Sequence, residues 1–292
     1  MRLLAISDLH LANKVNKEAL DALPAFPDDW LVVAGDVGEK FAHLRAAFET
    51  LTARFERIIW TPGNHELWAV PEGDAPASAG VERHEKMVAI AREYGVITPE
   101  DEFPLWEGPG GPAIVAPVFT LYDYTFRPPE VSAEEVIGWA REGGIRPADE
   151  LHLSPAPFPS RAAWCAERVR ATEARLETLP AGARTVLVNH FPLRRDLVAI
   201  PRVPRFTPWC GTILTEDWHT RFGAAVVVSG HLHVRRTDWR DGTRFEEVSL
   251  GYPRQWDQRR GMAAYLRQIL PEPTGPFEWA RRTMSSIGAG DT

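Results

Sequence analysis

Arg2-Leu3-Leu4-Ala5-Ile6-Ser7-Asp8-Leu9-His10 is a short apolar run that stops on two side chains carrying lone pairs. A run of this length fits a strand buried on both faces. Asp8 and His10 are two apart, so in extended backbone they lean to one side. The same pattern returns four times. Trp30-Leu31-Val32-Val33-Ala34 runs into Gly35-Asp36, and Arg57-Ile58-Ile59-Trp60 leads to Gly63-Asn64-His65-Glu66. Thr185-Val186-Leu187-Val188 ends in Asn189-His190, and Ala224-Ala225-Val226-Val227-Val228 ends in Ser229-Gly230-His231-Leu232-His233. In open α/β sheets ligands bind at the carboxyl ends of the strands. Strands of one sheet running the same way would deliver all these side chains to one rim.

Carboxylates, imidazoles and one amide oxygen suit divalent metals of intermediate hardness, such as Mn, Fe, Zn or Ni. His231 and His233 repeat the spacing of Asp8 and His10. Asp36 stands alone after its strand, and a lone carboxylate with two oxygens is a natural bridge between two ions. Gly35, Gly63 and Gly230 are read as points where the backbone bends just before a ligand. Taken singly each piece has a plainer reading: Gly35-Asp36 and Gly63-Asn64 are common turns, and His190 fits a hydrogen-bonded core histidine. Their order in one chain favours the metal reading, since five of the nine histidines fall in these motifs. His43, His84, His152 and His219 fall outside them and read as surface or packing residues.

Around these motifs, strands are expected over 2–7, 30–34, 57–60, 113–115, 184–188, 224–228 and 244–248. Helices are expected over 39–55, 81–94, 133–142 and 161–179, the last with Ser160 as its N-cap. Strands alternating with helices signal a layered α/β fold. Residues 70–80, 99–112 and 191–212 read as loops. No composition shift marks a boundary, so residues 1–292 are read as one domain.

Apolar residues make up 44% and charged residues 25% of the chain, an ordinary globular composition. Two distant cysteines, Cys165 and Cys210, fit neither a disulfide framework nor a metal-ligand spacing and point to a reducing compartment. There is no signal-peptide pattern at the N-terminus, and no run approaches the ~20 apolar residues of a membrane span. The expected location is the cytoplasm, with no membrane partner. The net charge of −7 argues against general affinity for nucleic acid. Charge is uneven, however: residues 190–260 carry twelve arginines against eight acidic residues, a local surplus of +4 against −11 for the remainder. That surplus reads either as a cationic rim for an anionic substrate or as a consequence of Arg-rich, Lys-poor usage.

The ordered set Asp-x-His, Gly-Asp, Gly-Asn-His-Glu, His and Gly-His-x-His, spanning residues 8 to 233, resembles the calcineurin-like metallophosphoesterase superfamily. The resemblance implies an α/β fold of two mixed β-sheets packed face to face with flanking helices, and a dimetal site at one edge. It also implies that Asp8, His10, Asp36 and His233 hold the first ion. Asp36 would bridge to a second ion, completed by Asn64, His190 and His231, while His65 contacts the leaving group. Two ions about 3.5–4 Å apart lower the pKa of a bridging water and clamp phosphoryl oxygens for in-line attack. The implied activity is therefore hydrolysis of a phosphoester by a metal-bridging hydroxide.

Gly35-Asp36-Val37-Gly38-Glu39-Lys40 and Thr61-Pro62-Gly63-Asn64-His65-Glu66 depart from the Gly-Asp-x-Val-Asp-Arg-Gly and Arg-Gly-Asn-His-Glu of protein Ser/Thr phosphatases. Trp209-Cys-Gly-Thr212, Asp217-Trp-His219, Gly230-His-Leu-His233, Arg244-Phe-Glu-Glu-Val248 and Gly251-Tyr-Pro-Arg254 are similar instead to an actinobacterial group that includes phosphopantetheinyl hydrolases. That similarity implies a phosphodiesterase acting on holo acyl carrier protein. The alternatives are a phosphomonoesterase for a small metabolite and a non-catalytic scaffold of the same fold. The loop over 191–212 begins one residue after His190 and is expected to help form the substrate pocket. Arg194, Arg195, Arg202 and Arg205 would meet phosphate or an acidic protein surface, and Phe206 and Trp209 would line an apolar wall.

Overall fold

The computed structural model describes residues 1–72 and 77–273. Its strands are β1 Leu3–Ile6, β2 Phe26–Ala34, β3 Phe55–Thr61, β4 Leu105–Trp106, β5 Ala113–Pro117, β6 Thr185–Val188, β7 Ala224–Ser229, β8 Thr237–Arg240, β9 Thr243–Glu247 and β10 Arg267–Leu270. They form a four-stranded sheet in the order β10-β1-β2-β3 and a six-stranded sheet in the order β4-β5-β6-β7-β9-β8. In the first, β1, β2 and β3 are parallel and β10 is antiparallel. In the second, β5, β6, β7 and β9 are parallel, while β4 and β8 run antiparallel at the two edges.

The apolar runs are continuous because both faces of each sheet are covered. Successive side chains alternate between two cores. Leu3, Ala5, Trp30, Val32, Ala34, Val186, Val188, Val226 and Val228 meet between the sheets. Leu4, Ile6, Leu31, Val33, Leu187 and Val227 point the other way, into a core completed by helical residues such as Leu44, Phe48, Met87 and Trp164. The covering helices are α1 Lys14–Asp21, α2 Phe41–Thr52, α3 Asn64–Leu67, α4 Gly80–Glu93, α5 Val136–Glu142, α6 Asp149–His152, α7 Arg161–Leu176 and α8 Trp218–Arg221. Two mixed sheets, face to face with helices outside, are the expected architecture. Ser160 caps α7, its Oγ accepting the Ala163 N–H at 3.1 Å.

Three strands escaped the sequence reading for one reason. β4, β8 and β10 lie at sheet edges, and two of them, Thr-Asp-Trp-Arg and Arg-Gln-Ile-Leu, carry the charged residues that edges favour. β4 falls inside the stretch read as a loop over 99–112. Of the loop expected over 70–80, residues 73–76 lie outside the described residues. Among the described residues no helix is long and apolar enough to cross a membrane. Cys165 and Cys210 are free and buried.

The sheets touch where β1 and β9 end. Ser7 pairs in parallel with Ser249, its N–H donating to the Val248 carbonyl at 3.2 Å while Leu250 N–H donates to Ser7 at 2.8 Å. This joint brings the carboxyl ends of both sets of parallel strands to one seam.

His84 of α4 is buried against the Phe119 ring, 4.6 Å away. Burial, with the Arg168 guanidinium nearby, pushes the imidazole down to about 3. The native chain thus resists a proton that the unfolded chain accepts below about pH 6.5. The stability this contributes is complete above that pH and is lost as pH falls toward about 3. Replacing His84 with Phe should flatten the pH dependence of urea unfolding between about pH 6 and pH 4, by up to ~1.4 kcal/mol per pH unit. Equal slopes for the two proteins would mean that the folded state protonates His84 freely.

Candidate metal centre

The seven expected ligands all follow a strand at the seam. Asp8 and His10 come after β1, Asp36 after β2, and Asn64 after β3 at the start of α3; His190 follows β6, and His231 and His233 follow β7. The ladder carries on past the strand ends, with Asp8 N–H donating to Gly35 O at 2.9 Å and His10 N–H to Asp36 O at 3.0 Å. Five of the seven turn inward through left-handed backbone: Asp8 (φ 55°), His10 (44°), Asp36 (55°), His231 (72°) and His233 (55°). Such conformations cost about 1–3 kcal/mol each and persist where the surroundings over-determine them. Gly63 and Gly230 serve close approach rather than the bend expected of them. A Cβ on Gly63 would overlap Asp36 Oδ1, and one on Gly230 would overlap Ser7 Oγ and Asp8 Oδ2.

The donors fall into overlapping groups. Asp8, His10 and His233 offer one ligand atom each within 4.8 Å of one another, as do Asp36, His190 and His231, and as do His10, Asp36 and His65 between them. Asn64 joins the second group, its Oδ1 lying 3.2 Å from both His190 Nε2 and His231 Nδ1. Asp8 has one oxygen fixed and one free. Oδ2 accepts from Ser7 Oγ (2.5 Å), Ser249 Oγ (2.7 Å) and His231 N–H (3.1 Å), whereas Oδ1 faces His233 Nε2 at 2.9 Å.

This donor set fits metal ions. His190 Nδ1 lies 2.8 Å from the Ala34 carbonyl and His233 Nδ1 lies 2.8 Å from Gln255 Oε1. Those acceptors take the Nδ1–H of each ring, so each neutral ring presents its Nε2 lone pair to the cluster. At His233 burial would lower the imidazole, but the Asp8 carboxylate at 2.9 Å outweighs it and raises it above the usual histidine range, so this pair is held by a proton or by a cation in the proton's place. The electrostatics agree. Burial, reinforced by neighbouring imidazoles, holds His10, His190 and His231 below the usual histidine range, against the pull of Asp8. Burial would raise Asp8, but the imidazoles of His233, His190 and His10 outweigh it and keep the carboxyl well below its ordinary value. Asp36 is raised by burial and by the carboxylates of Asp8 and Glu66, a balance that an ion against its oxygens would reverse.

Four further side chains hold this arrangement, and the sequence reading gave none of them a role. Glu39, three residues past Asp36, meets His65 Nδ1 at 2.9 Å. Glu247 accepts the His233 N–H at 3.0 Å. Gln255 orients His233, and buried Asp149 accepts from Asn64 Nδ2 at 2.9 Å. Glu39 was visible as an acid close to the ligands. Asp149 gave no signal, because only the fold brings it near. Glu66 does more than cap α3: besides Gly63 N–H (2.8 Å) it accepts from Asp36 N–H (2.9 Å) and Val37 N–H (2.5 Å).

The substrate-side expectations fare unevenly. Trp209 is fully buried, its Nε1–H donating to Glu150 Oε1 at 2.8 Å, so it belongs to the core and not to a pocket wall. Arg194 is held by Asp196 (2.9 Å) and Asp241 (3.6 Å). Arg205 binds the Trp139 carbonyl and sits over the Trp139 indole at 4.8 Å. Arg202 is exposed. The loop does reach the site, through Phe206, whose ring stacks on His231 at 5.6 Å. Tyr252 stacks on His10 at 4.3 Å.

Glu66 ties three backbone N–H groups to one carboxylate, and an amide can serve only some of them. Glu66→Gln should turn an NH₂ against at least one buried donor and destabilise the metal-free protein by about 1–3 kcal/mol. Urea unfolding in the presence of chelator measures it; an unchanged midpoint would show that the loops after β2 and β3 do not need this tie.

Residues 1–235 match the family described as calcineurin-like phosphoesterase. The [Acyl-carrier-protein] phosphodiesterase PptH of Mycobacterium tuberculosis is 50% identical over 271 residues, covering 92% of this chain and 83% of that protein. The crystal structure of Phosphopantetheinyl Hydrolase (PptH) from Mycobacterium tuberculosis superposes with a TM-score of 0.89 at 49% identity, covering 94% of this chain and 98% of that one. The fold, the clustered His and Asp side chains and these matches agree, and the chain belongs to the calcineurin-like phosphoesterase family, enzymes that hydrolyse phosphate esters.

Proposed function

We propose that this enzyme is a dimetal phosphodiesterase that removes the phosphopantetheine arm from holo acyl carrier protein in the cytoplasm. The observation that carries the metal assignment is the position of Asp36, which belongs both to the group with His10 and His65 and to the group with His190 and His231. In this reading Asp8, His10, Asp36 and His233 hold one ion, and Asp36, Asn64, His190 and His231 hold the other. The donor set suits Mn, Fe or Zn. Bound there, the two ions supply an activated water and a clamp for the phosphoryl oxygens.

His65 supplies the proton. Its Nδ1 is engaged by Glu39, which leaves Nε2 facing inward, 3.9 Å from Asp36 Oδ2. The ring is clamped by Trp68, stacked at 3.8 Å, and by the edge of His10 at 4.7 Å. From there it protonates the serine oxygen as the P–O bond to the carrier breaks and a new P–O bond forms to water. The products are 4′-phosphopantetheine and a carrier with a free serine. The carrier substrate is supported by the printed activity of the mycobacterial relative. Of the side chains first assigned to substrate, Arg202 keeps that role as an exposed cation and Phe206 as the apolar neighbour, while Trp209 does not. Two free, buried cysteines suit a reducing cytoplasm.

Incubating holo carrier protein with the metal-loaded enzyme should lower the carrier's intact mass by one phosphopantetheine, and chelation should stop it. A carrier of unchanged mass beside rapid turnover of a small diester would reassign the substrate. Asp36→Asn should cause the largest loss of metal among single ligand variants, since an amide cannot serve two ions as a charged bridge; full retention of both ions would remove its bridging role. His65→Ala should keep its metals yet lose turnover by on the order of 10²–10⁴, with a smaller loss on nitrophenyl leaving groups. Equal losses on alkyl and aryl esters would exclude the acid role.

A further inference from the structure

Asp149 lies 85 residues past Asn64 in the chain, yet its Oδ1 accepts from Asn64 Nδ2 at 2.9 Å and from Trp68 Nε1 at 2.7 Å. Both carboxylate and amide are buried, at 2% and 5% exposure. The short helix that carries Asp149 is itself fixed. Arg161 donates to the Asp149 carbonyl at 2.7 Å and to the Glu150 carboxylate at 2.8 Å, and Ala69 N–H donates to the His152 carbonyl at 2.8 Å.

A primary amide has two unlike ends of nearly equal size, and only its neighbours decide which faces where. At Asn64 one end meets Asp149 Oδ1, which also accepts the Trp68 indole N–H and so serves as the acceptor here. The NH₂ must therefore turn to Asp149, and Oδ1 must turn to His190 Nε2 and His231 Nδ1, 3.2 Å from each. The reversed amide would set oxygen against carboxylate and aim two N–H groups at the metal site. The same Asp149 oxygen holds the Trp68 indole, and that indole stacks on His65 at 3.8 Å. One buried acid thus fixes two successive residues, Asn64 by hydrogen bond and His65 through a ring.

We propose that Asp149 is a positioning residue that keeps the Asn64 oxygen aimed at the second ion and, through Trp68, steadies the His65 ring. The proposal rests on Asn64 being a ligand of that ion. It concerns the acceptor oxygen of residue 149, so the three variants below separate acceptor, charge and bulk.

The test is titration of Mn²⁺ into the chelator-treated full chain, counting ions bound and their affinities, with thermal unfolding followed by circular dichroism alongside. The wild-type protein should take up two ions. Asp149→Leu should weaken one site by roughly 10- to 100-fold, the range for loss of a partner that orients a ligand, and leave the other unchanged. Asp149→Ser, whose hydroxyl is too short to reach the amide, should show the same selective loss and decides the matter if the leucine variant does not fold. Asp149→Asn keeps an oxygen for both N–H groups and should bind both ions nearly as wild type does. Two ions bound at wild-type affinity by the leucine or serine variant would overturn the proposal, as would equal weakening of both sites. So would an asparagine variant as damaged as the leucine one, since charge rather than the acceptor would then matter. A wild-type protein that binds no pair of ions would fail differently, removing the metal assignment itself.

Discussion

Moving a carboxylate out of water costs several kcal/mol unless opposite charge and hydrogen bonds compensate it. Here two of them, Asp8 and Asp36, are buried within reach of each other's field. The surrounding structure answers that cost. Five imidazoles crowd round the pair, Ser7 and Ser249 bind one oxygen of Asp8, and the His65 N–H binds one oxygen of Asp36 at 3.0 Å. Ligand atoms of Asp8, His10 and His233 lie within 4.8 Å of one another, as do those of Asp36, His190 and His231. A pair of metal ions there would add the positive charge that balances both carboxylates.

Geometry carries a second load. Parallel strands from two sheets bring their ends to one line, but a strand end alone does not aim a side chain inward. The left-handed turns at five ligands do that, and each is held by bonds to a neighbouring loop. Glu66 is the clearest case, gathering backbone N–H groups from the loops after β2 and β3 onto a single carboxylate. Strain, glycine contacts and buried acid–amide bonds together make the site stiff before any ligand arrives, which is what a two-ion site for in-line chemistry requires.

The clustered Asp, Asn and His side chains were legible because they interrupt apolar runs at a fixed place, the strand end, and because imidazole and carboxylate have few other reasons to recur there. The helices over 41–52, 80–93 and 161–176 were legible from their periodicity. What escaped depends on distance in the chain or on who claims a side chain. β8 and β10 are polar edge strands whose pairing is decided by neighbours. Trp209 has the composition of a pocket wall and the position of a core residue. Arg194 and Arg205 count as free positive charge in the sequence, yet Asp196, Asp241 and the Trp139 carbonyl claim them. Asp149 and Gln255 touch the ligands only because separate stretches of chain fold back on the seam.

Neither sheet owns an ion. In the arrangement proposed above, each metal would take ligands from loops of both sheets: Asp8 and His10 with His233, and Asp36 and Asn64 with His190 and His231. A bound ion then works as a rivet through two layers otherwise held by packing and by the Ser7–Ser249 joint. Binding to the folded state alone stabilises that state in proportion to the logarithm of free ion over its dissociation constant. The working life of the enzyme inside a cell would thus follow metal supply twice, once through turnover and once through its resistance to proteases that clear chains whose layers have parted.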